Sequence, residues 1–343
     1  FAIQKHVMEQ KNFDPDGVGV DNGTYFGLPF APETAELVLI SAPWDVTVSY
    51  GAGAAYAPDA IIEASTQLDF HDLLAPGAWR RGIATADVDY SLLESSQRLR
   101  ADAARVIDHL EGGGCLEDDY VVRKVRRVNE GCMSMNANVG AQASRWLDAG
   151  KTVGLVGGDH STPYGLIRAL GARHAAFGIL HVDAHCDLRD AYEGFEFSHA
   201  SIMFNVLRDV PQVTKIAQVA VRDFSESEAA LAASSGRIAT FDDLSLAAAL
   251  FRGETWDAQC RRIVDALPQE VYVSFDIDAL TFENCPHTGT PVSGGLTFNQ
   301  AVWLLDTLTR SGRRIIGFDV VEVCPAPDER IDAITGARML WKL

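Results

Sequence analysis

The stretch "HVDAHCDLRD", residues 181–190, follows the apolar run "FGIL" and places Asp183, His185 and Asp187 on alternate positions. In a strand, alternate side chains share one face. Two carboxylates and an imidazole crowded there repel or desolvate one another unless positive charge lies between them. Three other apolar runs end in similar polar groups. "VGLVGGDHS" ends with Gly157, Gly158, Asp159 and His160, and "VYVSFDID" ends with Asp276 and Asp278, again two apart. "IIGFDVVEVCP" carries Asp319 and Glu322. His160, Asp183, His185, Asp187, Asp276 and Asp278 together offer imidazole nitrogens and carboxylate oxygens. That many carboxylates at one edge cannot all ionise without cations. The set exceeds one tetrahedral Zn2+ and suits two metal ions that share bridging carboxylates. Oxygen and imidazole donors without a thiolate favour Mn2+ over Zn2+, with Co2+, Ni2+ or Fe2+ as alternatives. A pleated strand would turn Cys186 to the face opposite His185 and Asp187.

The elements that must present these groups are short apolar strands, each with a turn and usually a helix. Strands are expected at 36–42, 81–88, 151–157, 176–183, 214–221, 236–241, 270–276 and 314–321. Helical periodicity marks 58–68, 96–111, 134–149, 163–173, 297–310 and 328–342. Thr162 and Pro163 have the residue types of a helix start. Such alternation predicts a three-layer α/β sandwich, a mostly parallel sheet of about eight strands covered by helices on both faces. In open sheets of that kind ligands bind at the carboxyl ends of the strands, where the polar clusters fall. Residues 1–35 and 112–131 show no clear periodicity; they are expected to be an N-terminal arm and an excursion within a single domain, 36–343.

Composition narrows the function classes. The 343 residues hold 47 Asp and Glu against 29 Lys and Arg, a net charge of −18. That balance opposes nucleic acid and anionic membranes and suits a small cationic ligand. No apolar run has the length of a membrane span, and "FAIQKHVMEQ" has no apolar signal core, so a cytoplasmic location is expected. Cys115, Cys132, Cys186, Cys260, Cys285 and Cys324 lack metal-site spacing and read as reduced thiols.

"GGDHS", "DAHCDLR" with "SHAS", "SFDIDAL", "HTGTPVSGGLT" and "DVVEVCP" resemble, in order and spacing, the ureohydrolase family of arginases and agmatinases, from about residue 43 to the end. The resemblance implies an arginase-like fold, two metal ions per chain, and hydrolysis of a guanidino group to urea and an amine. His160, Asp183, Asp187 and Asp276 would surround one ion. His185, Asp183, Asp276 and Asp278 would surround the other, with Asp183 and Asp276 bridging. Water activated between the metals would attack the guanidinium carbon, with Asp187 hydrogen-bonded to it. Glu322 would pair with the guanidinium. His199, in "SHAS", would carry a proton to the leaving amine. Members of the family are commonly trimers or hexamers, which implies a homo-oligomer.

Two segments depart from the family pattern. "FENCPHTGT" replaces an Asp-Pro step after Asp278, and "LRDAYEGFEFSHAS" lacks the pieces by which arginases hold an amino-acid head group. The second departure points to an agmatinase-type enzyme acting on agmatine or a similar compound. Guanidinobutyrate, guanidine and arginine are the alternative substrates. Two rivals differ in kind: a metallophosphoesterase, disfavoured by the negative charge, and a catalytically silent binding or assembly subunit, disfavoured by the intact ligand set.

Overall fold

Runs of Val, Ile, Leu and Phe become strands because both of their faces are buried, which is the condition of a parallel sheet with helices on each side. The computed structural model describes residues 13–343. All eight expected strands are present: β1 (Leu37–Ala42), β2 (Ile83–Thr85), β3 (Thr152–Gly157), β4 (Phe177–Val182), β5 (Val213–Val219), β6 (Ile238–Phe241), β7 (Glu270–Asp276) and β8 (Arg314–Val321). They form one sheet in the order β2-β1-β3-β8-β7-β4-β5-β6, and every pairing is parallel. The fold is the expected three-layer α/β sandwich.

Topology decides which polar clusters meet. The chain leaves β3, passes to β4, and later inserts β8 and β7 between them. The four central strands are therefore the four that end in His160, Glu322, Asp276 and Asp183. Register then aligns their ends, pairing Val156 with Val320, Asp276 with Val321, and Val182 with Phe275.

Helices α1 (Ala57–Ser65), α2 (Tyr90–Glu111), α3 (Asp119–Asp148), α4 (Tyr164–Gly171), α5 (Ile202–Asp209), α6 (Glu226–Ser234), α7 (Asp243–Phe251), α8 (Trp256–Asp265), α9 (Phe298–Arg310) and α10 (Ile331–Lys342) cover the sheet. Phe177 and Ile179 of β4 join one core with Val106, Met135 and Leu166 from α2, α3 and α4. Leu180 and Val182 join the other with Ile61, Ile263, Leu304 and Met339 from α1, α8, α9 and α10. The strand alternation thus feeds two separate apolar layers.

Several expectations change. Residues 119–131, read as irregular, are the first half of α3, a 30-residue helix; charges and Gly131 masked its stripe of Val121, Val128, Cys132, Met135 and Val139. Helices α5 to α8 were not expected from the sequence, although Ser225 and Glu228 form a capping box at α6; α6 and α7 are short, alanine-rich surface helices. Residues 1–12 lie outside the described part of the chain. Residues 25–28, expected in a surface arm, are buried. The Tyr25 hydroxyl hydrogen-bonds Ser41 Oγ at 2.8 Å, Phe26 N–H donates to Ser65 Oγ at 2.7 Å, and the Phe26 ring packs on Trp341. Thr162 does not cap α4, because its hydroxyl donates to the Asp159 carbonyl.

Candidate metal centre and substrate cavity

Gly157 and Gly158 end β3 in a crowded turn. A Cβ on Gly158 would lie 1.9 Å from the Trp44 carbonyl oxygen, so only glycine fits there. The next side chain but one, His160, is buried, and its Nδ1 faces Asp183 Oδ2 at 2.9 Å, Asp187 Oδ2 at 3.0 Å and Asp276 Oδ2 at 3.2 Å. The other ring nitrogen settles what this means. Ser274 Oγ donates to Asp319 Oδ1 at 3.2 Å and so accepts from His160 Nε2, 2.9 Å away. That contact keeps the neutral ring's proton on Nε2 and turns the Nδ1 lone pair toward three carboxylates. Nδ1 has no hydrogen-bond partner. An imidazole nitrogen and three carboxylate oxygens converging in a buried space require positive charge among them, from a metal ion or from a proton on Nδ1.

A second position adjoins the first through Asp183. Its Oδ2 faces His160, while its Oδ1 accepts the His185 N–H at 2.6 Å and lies 3.5 Å from His185 Nδ1. Asp278 Oδ2 approaches His185 Nδ1 at 3.0 Å and is otherwise without a partner. Asp183 is thus placed to serve both positions. Asp276 turns Oδ2 to His160 at 3.2 Å, while its Oδ1 accepts the Asp278 N–H at 2.9 Å on the side of the second position. All six residues named from the sequence are brought together.

The charges register this crowding. Burial works against a charged His160, but Asp183, Asp187 and Asp276 outweigh it and hold its pKa well above the usual value. Burial, then Asp278 and Asp183, push Asp276 well above the carboxylate range, and burial with Asp183 raises Asp187. Asp183 goes the other way: burial opposes its charge, yet His181, His160 and His185 hold it well below.

The local backbone corrects the reason given for the convergence. β4 stops at Val182, so Asp183, His185 and Asp187 lie beyond the pleat. Asp187 has φ +54°, a left-handed conformation that aims its carboxylate at His160. Asp276 closes β7, and Asp278 sits in the 3-10 turn Ile277–Ala279 that follows. The unusual loop after Asp278 leaves that turn intact. Arg222 Nη2 secures it, donating to the Asp278 carbonyl at 2.7 Å and the Val292 carbonyl at 2.9 Å.

His181 was not singled out from the sequence, although it stands two residues before Asp183. It is wholly buried, with Nε2 2.8 Å from Asp183 Oδ2. Gln218 Nε2 lies 3.3 Å from its Nδ1, an arrangement that puts the His181 proton on Nε2 and makes it the donor to Asp183. The signal available was its i−2 spacing on the same strand face.

A cavity of about 450 Å³ opens above the cluster and is lined by His160, His185, Asp187, His199, Arg189 and Glu322 among others. Glu322 has φ +61° and is pinned from its backbone: its N–H donates to the Gly158 carbonyl at 2.8 Å and its carbonyl accepts from Thr288 Oγ1 at 2.9 Å. Its Oε1 accepts the His160 N–H at 2.7 Å. Burial, then Asp159, push its pKa well above the usual range, so a cation beside it is needed to hold its charge. His199 is buried, with its backbone N–H on Thr47 Oγ1 at 3.1 Å. Burial, then the neighbouring His185 and His160, depress its pKa to about 3, which leaves a neutral imidazole. Arg189 lies over the Tyr192 ring at 4.6 Å and 3.6 Å from Glu228 Oε2. Asp319 does not enter the cavity; it sits inside the sheet and orients Ser274.

Comparison with known proteins gives the family and the fold. The family model described as the arginase family matches residues 35–343. The N(1)-aminopropylagmatine ureohydrolase of Thermus thermophilus is 31% identical over 302 residues, covering 88% of this chain and 87% of its own. The agmatinase of Serratia proteamaculans is 31% identical over 322 residues, covering 92% and 89%. Among solved structures, the agmatine ureohydrolase of Thermoplasma volcanium superposes with a TM-score of 0.68 at 21% identity, over 98% of this chain and 95% of that one. The proclavaminate amidino hydrolase of Streptomyces clavuligerus gives 0.70 at 22% identity, over 93% and 94%.

Proposed function

The chain belongs to the arginase family, and on that premise we propose that it is a metal-dependent amidinohydrolase of the agmatinase type, releasing urea and an amine from a small guanidino compound. One observation carries the reading. The His160 lone pair and three carboxylates converge on a point, and Asp183 links that point to a second one beneath an open cavity.

The donor set fits two ions, with Mn2+ the first choice and Co2+, Ni2+ or Fe2+ able to use the same oxygens and imidazoles. His160, Asp183, Asp187 and Asp276 would hold one, and His185, Asp183, Asp276 and Asp278 the other. When bound, the pair supplies Lewis acidity, lowering the pKa of water and stabilising charge as the guanidinium carbon becomes tetrahedral. The protein's own groups do the rest. Glu322 keeps Oε1 on the His160 backbone and offers Oε2 to the guanidinium. Bound substrate, with any metal held beside it, would supply the positive charge that this buried carboxylate needs. Asp187 accepts a hydrogen bond from the attacking water. Neutral His199, with Nδ1 3.3 Å from Ser198 Oγ, would take the proton shed by the attacking water and pass it to the departing nitrogen.

Substrate choice rests with the outer cavity, because every candidate shares the guanidinium end. The names of the relatives make agmatine and aminopropylagmatine the first compounds to try. A cytoplasmic homo-oligomer completes the proposal; no described helix is long and apolar enough to cross a membrane. The test is urea release by Mn2+-loaded protein from agmatine, aminopropylagmatine, 4-guanidinobutyrate, guanidine and arginine. Urea from none of them would overturn the assignment.

A further inference from the structure

Residues 188–198 join metal-cluster Asp187 to His199 and supply Arg189 and Tyr192 to the cavity wall. Their backbone is unusual. Asp187, Ala191, Glu193 and Gly194 have φ of +54°, +58°, +56° and +83°, and three of these four are not glycine. Left-handed conformations at such residues persist only where the surroundings over-determine them. Within the loop, Tyr192 and Phe195 exchange backbone hydrogen bonds, and the Arg189 N–H reaches the Ala200 carbonyl at 3.1 Å. Those contacts close the turn but do not anchor it to the body of the protein.

The anchor comes from the hairpin between α2 and α3, the excursion that the functional motifs did not explain. Asn129 on α3 donates from Nδ2 to the Gly194 carbonyl at 3.1 Å and accepts the Glu196 N–H on Oδ1 at 2.9 Å. The two loop groups lie on one edge of the chain, on either side of buried Phe195. A side-chain amide there satisfies one acceptor and one donor, as the backbone of a neighbouring strand would. The approach is close: a Cβ on Gly194 would come within 2.9 Å of Leu116 Cδ2 and 3.3 Å of the Val125 methyls. Asn205 Nδ2 holds the next carbonyl, that of Glu196, at 2.8 Å.

We propose that Asn129 is the positioning residue of the substrate loop: through Gly194 and Glu196 it sets where Arg189 and Tyr192 meet the substrate's tail. The role is indirect, since Asn129 is not among the residues lining the cavity. It gives the 112–131 hairpin a function in substrate selection. The kinetic part of the inference rests on the ureohydrolase reading; the clamp itself does not.

The experiment compares wild type, Asn129→Ala and Asn129→Asp as full chains, by amide hydrogen exchange and by steady-state kinetics with agmatine. In Asn129→Ala, which loses both hydrogen bonds to the loop, amides in 190–198, that of Glu196 above all, should exchange at least about tenfold faster. KM should rise about three- to tenfold and more than kcat falls, with bound metal per chain unchanged. Asn129→Asp keeps an acceptor for Glu196 and loses the donor to Gly194, so its effects should be intermediate. If Asn129→Ala does not fold, Asn129→Asp decides by the same readings. Unchanged exchange in 190–198 of the folded variant overturns the clamp, and faster exchange with unchanged KM overturns the positioning role. A wild-type chain that hydrolyses no guanidino compound sinks the proposed function instead, and exchange alone then judges the clamp.

Discussion

Ser274→Ala tests whether the metal position proposed at His160 depends on a residue that would touch no metal. Ser274 Oγ lies between His160 Nε2 at 2.9 Å and Asp319 Oδ1 at 3.2 Å, with no solvent exposure. Deleting it orphans a buried imidazole N–H, while Asp319 Oδ1 keeps the Phe275 N–H at 3.2 Å. One unsatisfied buried donor costs about 1–3 kcal/mol. Part of that cost falls on stability and part on the site, because the ring is free to move its proton to Nδ1 and pair with a carboxylate. Loss of such an outer partner weakens metal affinity by about 10–100-fold. The second position, built on His185 and Asp278, has no contact with Ser274 and should keep its affinity. Competition against a graded chelator, followed by metal analysis, should therefore show one ion per chain lost early and one retained. Asp183→Ala is the control, since a shared carboxylate should weaken both positions together. Two ions bound as in wild type by Ser274→Ala would refute the tautomer argument, and with it the reason for placing a metal at Nδ1.

Glu322→Gln removes the charge that faces the guanidinium and should lower kcat/KM by about 10–150-fold, equivalent to about 1.5–3 kcal/mol for a charge-assisted hydrogen bond, with metal content intact. His199→Ala should slow kcat by about 10²–10⁴ if it carries the proton, and near-normal turnover would remove it from the mechanism. L-Arginine should have a lower kcat/KM than agmatine under equal Mn2+ loading, because the one Lys or Arg among the described residues lining the cavity is Arg189, already beside Glu228, and a desolvated α-carboxylate would compete for it; arginine turning over fastest would refute this. His199 also predicts a pH dependence. Its folded pKa of about 3 lies below the ordinary imidazole value of 6.5, so the unfolded chain binds the extra proton between those limits and stability falls as pH drops through that window. The Tm loss between about pH 6.5 and pH 4.5 should be smaller in His199→Gln; an equal loss would show that His199 is not responsible.

Much of this architecture was legible in the chain. Eight apolar runs produced eight strands because a strand buried on both faces must be apolar throughout, a requirement that survives any tertiary arrangement. The six clustered residues were legible because four carboxylates crowded at adjoining strand ends cannot all stay charged without positive charge among them. Helices α5 to α8 were not. The apolar side chains that α6 and α7 bury are few, and local periodicity is a weak guide to a helix that contributes so little to the core. Helix α3 was half legible because its buried stripe runs between charged residues that the eye takes for a loop.

The sequence by itself determined which groups are available, since residue type sets donor chemistry and apolar runs set the strands. It did not determine how those groups meet. Strand order brought β3, β8, β7 and β4 side by side, and pairing between distant segments is a property of the whole chain. The alternation of Asp183, His185 and Asp187 suggested a pleated face, but the strand ends at Val182 and a left-handed Asp187 completes the cluster. The His160 tautomer, the supporting role of His181 and the grip of Asn129 on residues 194–196 were likewise tertiary decisions. Each depends on a hydrogen bond whose two partners are set by folding, and a buried polar group takes the partner that the fold leaves beside it.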